Sequence, residues 1–311
     1  MTSIDPVVAG LLEQLSAAPD FADMPVADAR GFVQAFIQME GEAEEVASIT
    51  DVNIPGPDGN EIAARIYTPH TEGSRPVILY FHGGGYALCT LEIADKPCRE
   101  LANLTGCVVV NVEYRLAPED RAPAQLTDCY AVTQWAVGNI SEFGGDGSRL
   151  AVSGDSAGGA LAAGVALMAR DQGGPAIDLQ ILIYPITDVQ DSTFPSRTEN
   201  GSGYLLTQRS MDYFADLYLT PDQDPKDPYV FPARATDLSN LPDAVVITAG
   251  FDPLRDEGTQ YAEKLAAAGS KVTHLHNASM IHGFMWMGGV VAQQKVAVGQ
   301  LADAVKEKWS L

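Results

Sequence analysis

The chain has few basic residues, and their scarcity excludes several classes of protein. Its 311 residues include 19 lysines and arginines against 41 aspartates and glutamates, which gives a net charge of -22 at pH 7. Such a charge repels nucleic acid and anionic membrane surfaces. We therefore expect no nucleic-acid partner. The acidic excess is typical of a strongly solvated surface or of adaptation to a saline habitat.

Cysteine is also sparse, and its spacing excludes a zinc site. The four cysteines form no CxxC pair and have no histidine at zinc-finger spacing: Cys89, Cys98, Cys107 and Cys129. This pattern is typical of small core residues with reduced thiols. His274 and His276 form an HxH pair, but no third ligand accompanies them. We expect no metal and no cofactor.

Long apolar runs are absent from the sequence. No run reaches the roughly 18 residues that a transmembrane helix needs. The N-terminal residues carry neither the basic segment nor the small-residue cleavage site of a secretory signal. We expect a cytoplasmic protein without membrane insertion.

From residue 76 the sequence alternates short apolar runs with helical patterns. Examples of the apolar runs are PVILYF at 76–81 and AVVITAG at 244–250. This alternation predicts a mostly parallel sheet of about eight strands, covered by helices on both faces. Two earlier strand patterns flank a PDGN turn at 57–60 and predict an antiparallel hairpin at the N-terminal edge. The fold class is therefore α/β.

Two further segments predict a helical cap. Residues 1–45 are helical in pattern, with one amphipathic helix that starts at Pro6 and a second over 26–39. Residues 188–240 form an insertion that is too long for a bare loop, and we expect a helix over 208–218 within it. Residues 46–311 then form the catalytic domain, with this insertion as the second part of the cap.

The most informative motif is SGDSAGG at 153–159, directly after an apolar strand pattern. It places Ser156 between Gly154 and Gly158, which is the GxSxG pattern of a nucleophile elbow. The serine of an elbow lies on a sharp strand-to-helix turn, where side chains on either side would collide. We infer that Ser156 is the nucleophile of a hydrolase.

A second motif, HGGG at 82–85, follows the strand pattern at 76–81. An oxyanion hole needs backbone N–H groups that point to the oxygen on which negative charge develops. We predict that Gly83, Gly84 and Ala157 supply these groups. A phosphate-binding loop is excluded because no GK[ST] sequence follows the glycines.

A serine nucleophile needs a base, and the base needs a carboxylate that fixes its tautomer. His282 is the candidate base because it lies in the loop after the last predicted strand. Of the other histidines, His82 belongs to the HGGG loop and His70 precedes the strand that leads to it. His274 and His276 alternate along a strand. Asp252 follows a strand at the edge of the sheet where open α/β folds bind ligands. The rival carboxylates are Asp256, Glu257 and, more weakly, Asp188.

Four further residues near these motifs are candidates for the substrate pocket: Tyr86, Leu88, Asp155 and Phe284. For Tyr86, Leu88 and Phe284, packing against the sheet is the alternative. For Asp155, which precedes the nucleophile, the alternative to substrate contact is a polar brace for the neighbouring loop.

Five ordered motifs resemble the bacterial hormone-sensitive-lipase-like esterases of the GDSAG subgroup: HGGG at 82–85, NVEYRLAPE at 111–119, GDSAGG at 154–159, DPLRDEG at 252–258 and HGF at 282–284. The resemblance implies an α/β-hydrolase fold with a helical cap, carboxylesterase activity, and the same catalytic residues and oxyanion donors as above. Three further motif residues look structural: His82, Tyr114 and Arg115. Glu113 stands where the family usually has aspartate.

We therefore predict a carboxylesterase that hydrolyses short- to medium-chain acyl esters, with a small-molecule ester as its substrate. An amidase, formamidase or lactonase with the same residues is the alternative, because fold and motif do not separate these bonds. A remote alternative is a non-catalytic receptor for a small ligand, although receptors that resemble this family lack the histidine that His282 supplies. Pairing of the edge strand near 271–276 with its copy would form a homodimer.

Overall fold

The computed structural model describes residues 3–188 and 193–311, so four residues of the predicted insertion, 189–192, lie outside the described residues. Within these ranges one sheet contains eight strands: β1 (Ser48–Pro55), β2 (Glu61–Thr68), β3 (Arg75–Phe81), β4 (Val108–Glu113), β5 (Gly145–Asp155), β6 (Leu179–Ile183), β7 (Asp243–Phe251) and β8 (Val272–Ile281).

The strand order across the sheet is β1-β2-β4-β3-β5-β6-β7-β8. The β1–β2 and β2–β4 pairs are antiparallel, and the other five pairs are parallel. The predicted α/β class, with a mostly parallel sheet and an antiparallel N-terminal edge, is confirmed. The carboxyl ends of the six parallel strands share one edge of the sheet, where ligands bind in such folds.

Helices cover the sheet on both faces. The α-helices are α1 (Pro6–Leu15), α2 (Val26–Val33), α3 (Leu91–Thr105), α4 (Ala124–Asn139), α5 (Ala157–Gln172), α6 (Pro195–Glu199), α7 (Gln208–Tyr218), α8 (Arg255–Ala267) and α9 (Ala292–Trp309). The helix predicted over 26–39 is α2 followed by a 3₁₀ helix, Gln34–Met39. Across the described ranges no helix has the length and apolar character that a membrane crossing requires.

Alternate residues of the central strands divide the core into two layers. Along β3, Val77 and Leu79 belong to the apolar cluster that includes α4 and α5, whereas Ile78 and Tyr80 belong to the cluster of α3 and α9. Each central strand is apolar on both sides because a helical layer buries each side. The sheet is therefore held rigidly between helices, with its carboxyl edge left for the site.

Hydrogen bonds join the N-terminal segment to the insertion. Asp20 accepts hydrogen bonds from Thr207 Oγ1 at 2.6 Å and from Ser210 Oγ at 2.8 Å. The hydroxyl of Tyr213 donates to the carbonyl of Met24 at 3.1 Å. Both segments also line the cavity around Ser156. Their grouping into a cap that is distinct from a catalytic domain stays a prediction.

Candidate active site

Ser156 lies at the turn between β5 and α5, in a backbone conformation with φ 55° and ψ -117°. Residues other than glycine seldom adopt this strained backbone conformation, and residues that do are concentrated at functional sites. A Cβ atom at Gly154 would lie 2.3 Å from the backbone of Gly158, and one at Gly158 would lie 1.9 Å from the carbonyl oxygen of Phe81. The turn therefore requires both glycines, as the elbow motif predicts.

A chain of hydrogen bonds links the three predicted catalytic side chains. His282 Nε2 is 2.9 Å from Ser156 Oγ, and His282 Nδ1 is 2.8 Å from Asp252 Oδ2. Asp252 is fully buried, and its other carboxylate oxygen accepts the N–H of Leu254 at 2.8 Å. With Nδ1–H directed to the carboxylate, Nε2 faces the serine as an acceptor, which is the arrangement of a general base.

The rival carboxylates have other partners. Glu257 accepts a hydrogen bond from Arg197 Nη2 at 2.5 Å, and Asp256 pairs with Arg255 at 2.7 Å. Burial raises the pKa of Glu257 to about 7, although the charge of Arg197 acts in the opposite direction. Asp188 forms an ion pair with Arg234. The contact between Arg197 and Glu257 ties the insertion to α8, and Asp252 is left as the carboxylate at His282.

Tyr184 supports the histidine, and its position directly after β6 was the only indication of this role in the sequence. Its ring lies 4.5 Å from the His282 ring, centroid to centroid. Its backbone has a φ of 34°, and its side chain is 1% exposed. The ring therefore packs against the imidazole and restricts its orientation.

The loop at 82–85 differs from the prediction at one position. The N–H of Gly83 donates to Asp155 Oδ1 at 3.0 Å, so it does not face a substrate oxygen. Gly84 and Gly85 line the cavity around Ser156, and their N–H groups have no hydrogen-bond partner in the described part of the chain. The prediction of Gly83 as an oxyanion donor is therefore wrong, because a tertiary contact occupies its N–H.

Ala157 matches its predicted position beside the nucleophile. It is the first residue of α5, so no carbonyl one turn earlier in the helix accepts its N–H. The N-terminal end of a helix also carries partial positive charge. Both the N–H group of Ala157 and the partial positive charge of the helix end would stabilise an oxygen that develops negative charge near Ser156.

Asp155 braces the loop against the sheet. Its Oδ1 accepts the hydroxyl of Tyr80 at 2.7 Å and the N–H of Gly83 at 3.0 Å. Burial raises the pKa of Asp155 to about 6, against the lowering effect of these two hydrogen bonds. Its side chain also reaches the cavity wall. The polar-brace interpretation fits this geometry, and contact with substrate stays a prediction.

His82 and Tyr114 support the loop at 82–85 through contacts with each other and with its backbone. The two rings stack with centroids 4.4 Å apart, and the hydroxyl of Tyr114 donates to the carbonyl of His82 at 2.7 Å. Burial lowers the pKa of His82 to about 4, so this histidine is neutral at pH 7. Arg115 binds the buried carboxylate of Asp128 at 2.8 Å.

We expect Asp155→Ala to lower kcat by roughly 10- to 100-fold with a smaller change in KM, since each misplaced oxyanion donor costs about 10²- to 10³-fold. Asp155→Asn keeps an acceptor for Tyr80 and Gly83 and should restore most of the loss. Steady-state kinetics with one ester measures both variants. A wild-type kcat in Asp155→Ala would contradict the brace.

The cavity above Ser156 has a volume of about 120 Å³ and is largely apolar. Tyr86 and Leu88 line it, as predicted. Phe284 does not: it is fully buried in the core layer of α3 and α9, so its pocket assignment is wrong and its packing alternative is correct. Other apolar side chains on the wall come from both helical segments and include Phe21, Phe36, Leu205, Met211 and Phe214.

The HxH pair contacts a threonine. Thr248 Oγ1 lies 2.9 Å from both His274 Nε2 and His276 Nδ1. In ranges 3–188 and 193–311, no three side chains of the metal-binding types form a group that could hold an ion. The expectation that the reaction needs no metal or cofactor stays a prediction.

A strand-to-helix serine elbow on a mostly parallel sheet, with an aspartate and a histidine that follow in this order, defines an α/β hydrolase. A family model described as the alpha/beta hydrolase fold matches residues 78–286. The chain belongs to this family, and within it to the hormone-sensitive-lipase-like esterases, so the predicted resemblance is confirmed. The GDSAG subgroup stays a prediction.

Two similar proteins from one bacterium are named as ester hydrolases. The chain is 42% identical to the carboxylic ester hydrolase LipN of Mycobacterium tuberculosis, over 91% of this chain and 77% of the relative. It is 39% identical to the carboxylesterase NlhH of the same species, over 97% and 95% of the two chains.

Solved structures agree along almost the whole length. A hyperthermophilic esterase from the archaeon Pyrobaculum calidifontis has a TM-score of 0.93 at 40% identity, with 98% of this chain and 99% of that chain covered. A serine-to-alanine mutant of an α/β hydrolase from the metagenome of Lake Arreo has a TM-score of 0.95 at 37% identity, with 99% of both chains covered. The protein is an esterase of this fold.

Proposed function

We propose that this carboxylesterase hydrolyses short- to medium-chain acyl esters with Ser156, His282 and Asp252 as its catalytic residues. The observation that carries the proposal is the hydrogen-bonded chain from Ser156 Oγ through both nitrogens of His282 to Asp252. The curated relatives, which are named as ester hydrolases, support the choice of bond. His282 is in place, which disfavours the alternative of a non-catalytic receptor.

The first half of the reaction forms an acyl-enzyme. Nε2 of His282 takes the proton of Ser156 as Oγ attacks the ester carbonyl carbon. The carbonyl oxygen becomes an oxyanion, and His282, now cationic and held by Asp252, gives its proton to the leaving alcohol as the carbon–oxygen bond breaks. Water then attacks the acyl group in the same way, with His282 as base, and releases the carboxylic acid.

Gly84, Gly85 and Ala157 are the proposed oxyanion donors. The N–H groups of Gly84 and Gly85 have no partner among the described residues, and both glycines line the cavity above the nucleophile. Donors that are fixed before the reaction stabilise the transition state without reorganisation. Asp155 helps to fix them because it holds Gly83, the preceding residue of the same loop.

The N-terminal segment (residues 1–45) and the insertion (about 188–240) are proposed as one cap that limits the size of the substrate. Phe21, Phe36 and Phe214 place aromatic rings on the cavity wall, and the rings of Phe21 and Phe214 are 5.7 Å apart. A small apolar cavity favours short and medium chains and excludes most of the water that would compete with substrate.

We expect p-nitrophenyl esters from C2 to C16 to show the highest kcat/KM at short to medium acyl length, because the cap closes the space above Ser156. Spectrophotometric initial rates at neutral pH measure the series. A maximum at C12 or longer would refute the size limit. Faster turnover of anilides or lactones than of any ester would favour the amidase or lactonase alternative.

Homodimer formation and a cytoplasmic location remain proposals of the same kind. β8 is the last strand of the sheet: β7 pairs with one side of it, and within the described residues no strand pairs with the other. Such an edge can pair with a second copy. Light scattering coupled to gel filtration determines the state, with a mass twice that of the chain as the expected result.

A further inference from the structure

A groove lies beside the cavity that contains Ser156, on the side of the N-terminal segment. It has a volume of about 290 Å³. Apolar side chains of α1, α2 and the insertion form most of its lining, including Leu12, Leu15 and Phe32. Four polar residues also line it: Ser16, Asp20, Thr207 and Ser210. Phe21 and Leu205 line both the groove and the cavity. These two side chains therefore form a wall between the two spaces.

The wall is close to the catalytic histidine. A Cβ atom at Gly283 would lie 3.4 Å from Cδ2 of Leu205, and Gly283 directly follows His282. In the proposed reaction His282 gives its proton to the leaving alcohol, so the alcohol oxygen must lie against Nε2. Leu205 lies beside the residue that follows His282 and lines the cavity, so we expect the alkyl chain of the alcohol to run toward it.

Contacts from both helical segments hold the wall in place. Phe21 packs against the rings of Phe32 and Phe214, at centroid distances of 5.8 and 5.7 Å. Asp20, the preceding residue, accepts the N–H of Ala22 at 2.9 Å and also binds Thr207. Thr207 lies two residues after Leu205, so one cluster of hydrogen bonds fixes the backbone near both wall residues.

We propose that Phe21 and Leu205 are specificity-determining residues that limit the length of the alcohol group of the ester. The inference rests on the proposed function, since it needs His282 at the leaving oxygen. Each methylene that is newly buried raises kcat/KM by about fourfold, given the usual transfer free energy of a methylene group. In wild type the wall stops the alkyl chain of a long alcohol, so the outer carbons of that chain do not raise kcat/KM. When a wall side chain is shortened, the groove can bury these carbons.

The experiment compares ethyl and octyl acetate, which differ only in the alcohol, for wild type, Phe21→Ala and Leu205→Ala. The expected result is a rise of at least about tenfold in the octyl-to-ethyl ratio of kcat/KM in each variant. Leu11→Ala is the control, because it removes the same atoms from a partly buried leucine of α1 that lines neither space. Its ratio should match that of wild type.

A ratio is the readout because a general loss of packing lowers both rates together. An unchanged ratio in Leu205→Ala overturns the proposal, even where Phe21→Ala does not fold. A rise in the ratio of p-nitrophenyl octanoate to butyrate without a rise for the acetates also overturns it, since the wall would then face the acyl chain. Failure of the proposed function is distinct: wild type and Ser156→Ala would hydrolyse ethyl acetate equally.

Discussion

Replacement of Ser156 by alanine lowers kcat by about 10⁵- to 10⁶-fold, while the protein stays folded. The reason is that Oγ is the atom that bonds to the acyl group, and the cavity keeps only its binding and oxyanion contributions without it. Kinetics with p-nitrophenyl butyrate measure the loss. Because the three catalytic groups act as a unit, the double variant Ser156→Ala/His282→Ala should be no slower than Ser156→Ala alone.

Ser153→Ala is the matched control for this variant. Ser153 lies on β5, three residues before the nucleophile, and is fully buried. Its hydroxyl has no hydrogen-bond partner in the described part of the chain, so its removal leaves no group unsatisfied. We expect activity within about threefold of wild type, as for a neutral core change. Retention of a tenth of the activity in Ser156→Ala would assign the chemistry to another nucleophile.

Glu40 is the second residue with a large expected effect, and this effect is on stability. It ends the 3₁₀ helix Gln34–Met39, is 7% exposed, and neither carboxylate oxygen has a partner among the described residues. Burial raises its pKa to about 8, and Asp95 adds to this while Lys96 opposes it. At neutral pH the buried carboxyl group is therefore mostly protonated.

The sign of the pH dependence follows from this shift. The folded protein binds a proton at Glu40 more tightly than the unfolded chain does, so ionisation costs folding free energy as pH rises from about 4.5 to about 8. Glu40→Gln cannot ionise. Its free energy of unfolding, relative to that of wild type, should rise by roughly 3–5 kcal/mol between pH 4.5 and pH 9, since one pKa unit corresponds to about 1.4 kcal/mol.

Urea unfolding at pH 5, 7 and 9 measures the difference. Glu42→Gln is the control, because Glu42 is exposed two residues later and its loss of charge should not alter the pH dependence. The same pH dependence in Glu40→Gln and wild type would mean that Glu40 has a partner or solvent access in the folded protein.

Local patterns were sufficient to predict the elbow and the order of the catalytic residues. A Cβ atom at Gly154 would lie 2.3 Å from the backbone of Gly158, and one at Gly158 would lie 1.9 Å from the carbonyl oxygen of Phe81 on β3. The five-residue motif is sufficient to predict both glycines, although one of the two close approaches comes from a different strand. The strand alternation predicted the sheet for a similar reason, because two helical layers leave each central strand apolar on both sides. A short motif or a regular period in the sequence therefore indicates both features.

Features that depend on distant contacts could not be predicted. The sequence does not distinguish the three glycines at 83–85 from one another. They differ in the structure because the carboxylate of Asp155 accepts the N–H of Gly83 and leaves those of the next two glycines without a partner among the described residues. The start of α3 at Leu91, six residues before Pro97, is a second example. Glu113 accepts the N–H of Leu91 at 2.5 Å and so satisfies the start of α3 from a different strand.

The cavity wall is a further example. Phe21 and Leu205 are far apart in the sequence but line the same cavity, and hydrogen bonds at Asp20 join their segments. Neither residue belongs to a sequence motif. The proposed limit on substrate size therefore rests on tertiary contacts, whereas the proposed catalytic residues were predicted from motifs.

The most direct test of the central claim is to locate the acyl group on the protein. Wild type is mixed with p-nitrophenyl butyrate, quenched in acid within the first turnovers, and analysed by intact mass and peptide mapping. We expect one butyryl group per chain on the peptide that contains Ser156, and none in Ser156→Ala. Turnover without an adduct, or an adduct on another residue that survives in Ser156→Ala, would contradict the acyl-enzyme mechanism.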